Sequence, residues 1–385
     1  MAKEDLARMF RDAFGYDDGL RFFFSPGRVN LIGEHIDYNG GDVFPCALDM
    51  GTYAAARKRG DNRLSFASRN FDLRATLPLD SLRYDSSIDW INYPAGVASV
   101  MRFLGADFGG MDIFFHGDLP NGAGLSSSAS IELAMAVAIN ELYQCGFSML
   151  QLVQAAKRAE NDYVGVNCGI MDQFAIGMCR KDSAVLLNCG TLAYEHVPLN
   201  LDGHTLAIVN TNKKRQLADS KYNERRAECD AALAKLSPAF GVNDLASLGV
   251  SSLDTCARIL GDDLLLRRVC HVVTEQDRVR RAVAALRVGK LCEFSQLLKQ
   301  SHISLRDDYE VTGPELDALA ESAWECGVTG ARMTGAGFGG CAVMIVPDGI
   351  YENAMAAILE RYRVRTGLEG AVYAANSGPG ASEIR

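Results

Sequence analysis

The segment SPGRVNLIGEHIDYN covers residues 25–39 and is the most distinctive stretch of this 385-residue chain. We call its residues 27–39 the polar loop. Arg28, Glu34, His35 and Asp37 crowd into it between glycines. Carboxylates accept hydrogen bonds from hydroxyl groups, and a histidine can donate or accept them. The loop is therefore either a solvated surface loop with ion pairs or a binding site for a hydroxylated ligand.

A second segment, GAGLSSS at residues 122–128, is here called the glycine–serine loop. It runs into the strongest helix prediction of the chain, 126–143, whose apolar residues cover one broad face. A helix N-terminus offers unpaired N–H groups and partial positive charge, and glycines let a phosphate approach the backbone closely. The lysine of a Walker A loop is missing. The segment therefore predicts either a plain helix cap or a phosphate site of another type.

A third segment, TGAGFGG at residues 334–340, formally matches G-x-G-x-x-G. A dinucleotide site would need a strand before this loop and a helix after it. Here a predicted helix (314–326) comes first and a β-rich run (341–346) follows, so the context excludes that interpretation. So many glycines predict close backbone packing against a ligand or another loop, or else a tight turn.

Two isolated acids also stand out. Asp172 lies between apolar residues, where a carboxylate is costly unless it is paired or caps a helix. Glu160 lies near the end of a predicted helix (150–163), where its charge opposes the helix dipole. A bound Mg²⁺ would account for a carboxylate at that position.

Composition excludes several classes of protein. The net charge of -9 disfavours nucleic acid and anionic membranes as partners. The eleven cysteines include no C-x-x-C pair, so we expect neither zinc nor a disulfide framework. We find neither a signal peptide nor a membrane span, and we expect a cytoplasmic protein.

The order of predicted elements favours α+β, because strands and helices do not alternate regularly. The length suggests two or three domains. We place a soft boundary between an N-terminal domain, residues 1–195, and a C-terminal domain, residues 196–385.

Taken together, the three loops resemble the motifs of the GHMP family of small-molecule kinases, in the family's order. Segments 167–174 and 301–311 are similar to those of family members that phosphorylate galactose. The resemblance spans about residues 21–346. It implies a two-domain fold with mixed sheets and helices, and an active site in the cleft between the domains.

The resemblance also implies roles for individual residues. Asp172 would be the catalytic base, and Arg28 would keep it ionised and offset charge in the transition state. Ser128 and Glu160 would hold Mg²⁺. The ATP phosphates would contact Gly122, Ala123, Gly124, Leu125, Ser126, Ser127 and Ser128. The sugar pocket would comprise Glu34, His35, Ile36, Asp37, Gly169 and Tyr222, with Ile36 standing where the family usually has threonine.

The implied reaction is ATP-dependent phosphorylation of the C1 hydroxyl of galactose by a monomeric enzyme. One alternative is another GHMP kinase, acting on N-acetylgalactosamine, mevalonate or homoserine. The polar loop favours a polyhydroxylated substrate over the last two. A second alternative is a non-catalytic sensor of galactose and ATP. Such a sensor could dispense with Asp172 or the Mg²⁺ ligands, which are all present here.

Overall fold

The computed structural model describes residues 1–120, 124–213 and 218–385, without the side chains of 218–220. Its α-helices are Lys3–Phe14 (α1), Asn92–Phe103 (α2), Ser127–Tyr143 (α3), Met149–Arg158 (α4), Met171–Met178 (α5), Ala218–Phe240 (α6), Leu253–Leu260 (α7), Asp263–Arg287 (α8), Leu291–Asp307 (α9), Gly313–Glu325 (α10) and Tyr351–Thr366 (α11). Its strands are Arg21–Asn30 (β1), Asp42–Val43 (β2), Pro45–Lys58 (β3), Arg63–Ser68 (β4), Ala75–Pro78 (β5), Met111–Gly117 (β6), Ser183–Asn188 (β7), Tyr194–Pro198 (β8), His204–Asn210 (β9), Gly330–Thr334 (β10), Cys341–Pro347 (β11), Ala371–Ala375 (β12) and Ser382–Glu383 (β13).

The strands form three sheets. A mixed sheet has the order β13-β1-β3-β6-β4-β5, in which β4 and β6 run parallel. An antiparallel sheet has the order β10-β11-β9-β12, and a smaller one has the order β2-β7-β8. Helix α3 packs on β1 and β3, and its inward face is almost continuously apolar and buried. The mixture of sheets and helices confirms the predicted α+β class.

Strand β1 carries the beginning of the polar loop. It pairs with β3 along its length, but its register shifts between Pro26 and Arg28. Such a bulge bends a strand and re-aims the side chains beside it. Arg28 lies directly after the irregularity, on a strand that packs against α3 and α5.

Helix α4 does not end as a regular α-helix. Residues Ala159–Val164 continue it as a π-helical turn. The sequence predicted one uninterrupted helix over 150–163. π-Helical turns inside helices are often found at functional sites, and this one carries Glu160.

The C-terminal segment of the chain pairs with the first strand. Strand β13 pairs with β1, and Arg21 forms an ion pair with Glu383. The last residues therefore complete the sheet that contains the first strand. The domain boundary near residue 195 stays a prediction. Strand β13 comes from the predicted C-terminal domain but lies in the sheet of the predicted N-terminal domain. Among the described helices, none is long and apolar enough to cross a membrane.

Candidate active site

Three cavities lie side by side: the first two share the polar loop, α5 and the β10–β11 turn, and the third adjoins the second at the start of α3. The first, of about 180 Å³, is here called the polar cavity. It brings together eight predicted site residues that are far apart in sequence: Arg28, Glu34, His35, Asp37, Glu160, Gly169, Asp172 and Tyr222.

Glu34 lies almost completely buried at the wall of the polar cavity. One carboxylate oxygen accepts from Asn30 Nδ2 at 3.0 Å. The other accepts from the Thr334 hydroxyl at 2.9 Å and from the Gly335 N–H at 2.8 Å. Arg332, which is fully buried, lies 3.2 Å from the same oxygen. Glu34 thus ties the polar loop to β10, in addition to facing the cavity as predicted.

His35 is held in a left-handed backbone conformation and contacts an aromatic cluster. Its Nε2 faces the carbonyl oxygen of Ala336 at 3.2 Å, so Nε2 carries the proton. Its Nδ1 accepts from the hydroxyl of Tyr38 at 2.9 Å. Burial and the nearby His271 lower the pKa of His35 to about 3, so the ring is neutral. The ring of Tyr222, tilted by 42° with its centroid 5.7 Å from that of His35, completes this wall of the cavity.

Asp37 is the acid of the polar loop that is most open to a ligand. Burial, followed by the charge of Asp172, raises the pKa of Asp37 to about 6. Its carboxylate occupies the space where residue 169 would carry a side chain. A Cβ on Gly169 would lie only 1.8 Å from Asp37 Oδ2. Gly169 therefore belongs to the site because its missing side chain makes room for Asp37.

Ile36 does not take the place that the sequence suggested. Its side chain is fully buried in the apolar core and packs against Gly41. It is not among the residues that line the polar cavity. The prediction that Ile36 contacts the sugar is therefore corrected: an apolar side chain next to polar neighbours turns into the core.

Asp172 lies in the first turn of α5, whose N-cap is Ile170, so it does not cap the helix. Its Oδ1 accepts from Arg28 Nε at 2.8 Å and lies 2.7 Å from Nη2. Arg28 also donates from Nη1 to the carbonyl of Gly124 at 2.8 Å. The predicted base and the predicted charge stabiliser are thus in direct contact, and both adjoin the glycine–serine loop.

The second cavity, of about 220 Å³, lies against the glycine–serine loop and is here called the loop cavity. It shares Arg28, Asp172 and Ala336 with the polar cavity. Of the predicted phosphate contacts, Gly122 and Ala123 lie outside the described residues. The structure places Gly124, Leu125, Ser126, Ser127 and Ser128 on the wall of this cavity.

The start of α3 suits an anion. Its N-cap, Ser126, makes no side-chain capping bond. The first-turn N–H groups of a helix have no partner within the helix, and an anion is a favourable one. Gly335 explains the third glycine segment, because a Cβ there would lie 3.0 Å from the carbonyl of Gly124. The prediction of close packing against another loop is confirmed.

Ser128 on α3 lies next to Glu160 on the π-helical turn. Burial and the charge of Asp172 raise the pKa of Glu160, so a cation beside it would be favourable. The described residues hold no group of three or more His, Cys, Asp or Glu side chains arranged for a metal. Mg²⁺ commonly takes only one or two protein ligands and completes its shell with phosphate and water. The hard oxygens of Ser128 and Glu160 fit that pattern.

The third cavity was not predicted from the sequence. It measures about 210 Å³, adjoins Ser127 and Ser128, and is here called the aromatic cavity. Phe71 and Trp90 stack with centroids 5.7 Å apart, and Tyr93 lies beside them. The indole N–H of Trp90 is buried without a partner among the described residues. These aromatics are scattered over residues 71–115 without a local motif, so no sequence signal marked them.

Comparison with known proteins places this arrangement in a class. The family models for the GHMP kinases N terminal domain and the GHMP kinases C terminal match residues 92–180 and 282–364. The crystal structure of Methanococcus jannaschii mevalonate kinase superposes with a TM-score of 0.68 over 94% of this chain and 99% of that one, at 16% identity. The chain has the two-domain fold of a GHMP kinase.

A model for the galactokinase galactose-binding signature also matches, over residues 8–58. The galactokinase of Bacillus subtilis strain 168 is 49% identical over 100% of this chain and 99% of its own length. That of Fusobacterium nucleatum is 48% identical over 99% of this chain and all of its own length. The crystal structure of Lactococcus lactis galactokinase complexed with galactose is 41% identical, covers 99% of each chain and has a TM-score of 0.97. The chain belongs to the galactokinase family.

Proposed function

We propose that this chain transfers the γ-phosphoryl group of ATP to the C1 hydroxyl of galactose, giving galactose 1-phosphate and ADP. The observation that carries the proposal is the Arg28–Asp172 pair, which lies where the polar cavity meets the loop cavity. A hydroxyl in one cavity and a phosphate in the other would both lie beside this pair. The galactose named with the similar Lactococcus lactis structure identifies the sugar.

The three cavities divide the two substrates between them. The polar cavity takes the sugar, with Asp37 as a carboxylate acceptor and Tyr222 as an apolar wall. The loop cavity takes the phosphates against the start of α3. The aromatic cavity takes the adenine, for which stacked rings and an unpaired indole N–H are suitable partners.

In the reaction, the C1 oxygen forms a bond to the γ-phosphorus while the bond from that phosphorus to the β,γ-bridging oxygen breaks. Asp172 accepts the proton that leaves the C1 hydroxyl. Arg28 offsets the negative charge on the transferring group and keeps Asp172 in position. Phosphoryl transfer depends mainly on such positioning and charge stabilisation.

Ser128 and Glu160 would hold Mg²⁺. When bound, this ion neutralises phosphate charge and orients the triphosphate. The residues of the chain account for the remaining steps: the start of α3 holds the phosphates and Asp172 holds the transferred proton.

The test is ADP release from ATP with galactose, 2-deoxygalactose, glucose and N-acetylgalactosamine, each compared with ATP alone. We expect galactose-dependent release and little with glucose. Release with N-acetylgalactosamine alone would replace the proposal by the related kinase activity. No release with any sugar, together with measurable galactose and ATP binding, would instead support a sensor.

We further propose that the protein acts as a monomer. Light scattering on the purified protein should give a mass near 41.7 kDa. A mass of twice that value would contradict this expectation.

A further inference from the structure

Ser126 has an unusual position within the glycine–serine loop. Its φ and ψ are 60° and 49°. Residues other than glycine, asparagine and aspartate seldom adopt this left-handed backbone conformation. The residue is buried. Such conformations cost of order 1–3 kcal/mol and concentrate at functional sites. A requirement for the hydroxyl group would explain why serine rather than glycine occupies this position.

The hydroxyl of Ser126 does not serve the helix that it begins. As the N-cap of α3 it would ordinarily accept from a first-turn N–H, and it makes no such bond. It donates instead to Asp172 Oδ2 at 2.5 Å. That distance is typical of a hydroxyl bound to a carboxylate.

The bond to Ser126 completes the fixing of Asp172. Arg28 occupies Oδ1 with two of its nitrogens, and Ser126 occupies Oδ2. Rotation of the Asp172 carboxylate would break these contacts, so they hold its plane in one orientation. Oδ2 keeps a second lone pair with which it can accept a substrate proton.

The same short segment also fixes Arg28. The guanidinium donates to the carbonyl of Gly124, and the N–H of Arg28 donates to the carbonyl of Leu125 at 3.2 Å. Residues 124–126 therefore hold Asp172 directly through Ser126 and indirectly through Arg28. The loop that borders the phosphate cavity thus also sets the geometry at the base.

We propose that Ser126 is a positioning residue for Asp172, holding the oxygen that accepts the sugar proton, and is not a phosphate ligand as its place in the loop had suggested. The inference rests on the proposed phosphoryl transfer to galactose. Ser126 acts through Asp172 and, in this assignment, contacts neither the C1 oxygen of the sugar nor the transferring phosphoryl group. Its loss therefore lowers turnover and leaves the affinities for both substrates unchanged.

The test compares the parent enzyme with Ser126→Ala, Ser126→Gly, Asp172→Asn and the double variant Ser126→Ala/Asp172→Asn. Each is assayed for kcat and for KM with ATP and with galactose. Ser126→Ala should lower kcat by about 10- to 100-fold, the effect of losing a hydrogen bond to a charged group. Both KM values should stay within about twofold of the parent. In the Asp172→Asn background the same substitution should change kcat by less than about twofold, because the group that it positions is already lost.

Ser126→Gly guards against a folding artefact, because glycine adopts φ near 60° without strain. It should show the same loss of kcat as Ser126→Ala. A rise in KM for ATP at constant kcat, or an equal loss of kcat with and without Asp172, would assign Ser126 to the phosphates and overturn the proposal. Parent-like kinetics in both single variants would overturn it as well. A parent enzyme that releases no ADP with galactose would instead refute the proposed function.

Discussion

The polar loop and the glycine–serine loop border the same site but are held in different ways. The polar loop is braced by residues from the far half of the chain. Glu275 on α8 accepts from the N–H of Gly33 at 3.0 Å, and His271 contacts the carbonyl of Glu34 at 3.1 Å. Arg332 on β10 donates to two main-chain carbonyls of the loop, those of Asn30 and Leu31.

The described part of the glycine–serine loop has fewer such supports. Ser126 and Gly124 bind Asp172 and Arg28, and the first turn of α3 has no side-chain cap. A neutral sugar must be recognised by hydrogen-bond acceptors whose positions are fixed in advance. A triphosphate is recognised by main-chain donors that stay available for it. The comparison predicts that substitutions around the polar loop lower stability and the affinity for the sugar. Substitutions around the glycine–serine loop should instead change the dependence of activity on ATP and Mg²⁺.

The largest effect is expected where the two loops meet. Asp172→Asn removes the proton acceptor and should lower kcat by about 10²- to 10⁴-fold, the usual contribution of a general base. ATP and galactose should still bind, because both loops are intact. Calorimetric titration measures the binding, and coupled ADP release measures the turnover. Near-normal turnover would remove Asp172 from its proposed role.

The next largest effect is expected when the ion pair between Arg332 and Glu34 is removed on the sugar side. Arg332→Met leaves Glu34 buried without its ion pair, which should lower the free energy of unfolding by about 3–5 kcal/mol. Urea unfolding measures the change. Adding Glu34→Gln should restore part of the loss, since no unpaired charge then remains.

A matched surface pair serves as the control for that experiment. Arg361 pairs with Glu325 at 2.7 Å, and its side chain is half exposed. Arg361→Met should cost less than about 1 kcal/mol. Equal losses in Arg332→Met and Arg361→Met would show that burial of the pair contributes nothing to the brace.

A smaller effect is expected on the phosphate side. Ser128→Ala should raise the Mg²⁺ concentration for half-maximal activity by about tenfold, since it removes one proposed ligand. The free energy of unfolding should change by less than about 1 kcal/mol, because Ser128 is not part of the core. Galactose binding measured without nucleotide is the control and should be unchanged. An unaltered Mg²⁺ requirement would exclude Ser128 as a ligand.

The smallest effect concerns pH and Asp37. Its pKa is raised to about 6, so it is a carboxylate above that pH and becomes protonated below it. A protonated Asp37 loses acceptor capacity for the sugar hydroxyls. KM for galactose should therefore rise a few-fold as the pH falls through about 6, while KM for ATP changes little. Asp37→Asn should raise KM and abolish this pH dependence. A persistent pH dependence in that variant would assign it to another group.

Much of this arrangement could be predicted from local sequence. The bounds of helix α1, Lys3–Phe14, follow from the sequence, because an amphipathic pattern there ends at Gly15. Helix α3 begins one residue after its prediction, 126–143. The polar loop and Asp172 are recognisable because glycines and charges within a short segment are visible without a structure, whereas the role of Gly169 follows only from the resemblance to a known family.

The braces could not be predicted, because they depend on distant contacts. Helix α8 begins at Asp263, although a clear helical pattern in the sequence starts only near Gln276. Its earlier turns bury Arg268, His271 and Glu275, polar side chains that hide the apolar periodicity. Burial favours the neutral form of Glu275, but the charges of Arg278, His271 and Arg332 outweigh it and lower its pKa to about 2. The reason for the buried charge of Glu275 is visible only in the structure, where its carboxylate accepts from the N–H of Gly33.

The pairing of β13 with β1 has a consequence for biosynthesis. Strand β1 contains Arg28, yet its partner strand β13, at residues 382–383, is translated roughly 350 residues later. At about 5–20 residues per second, β1 waits on the order of tens of seconds on the ribosome for that partner. Arg332 also emerges late. A nascent chain can form α3 early, but it can assemble the sugar side of the site only after Arg332 has left the ribosome.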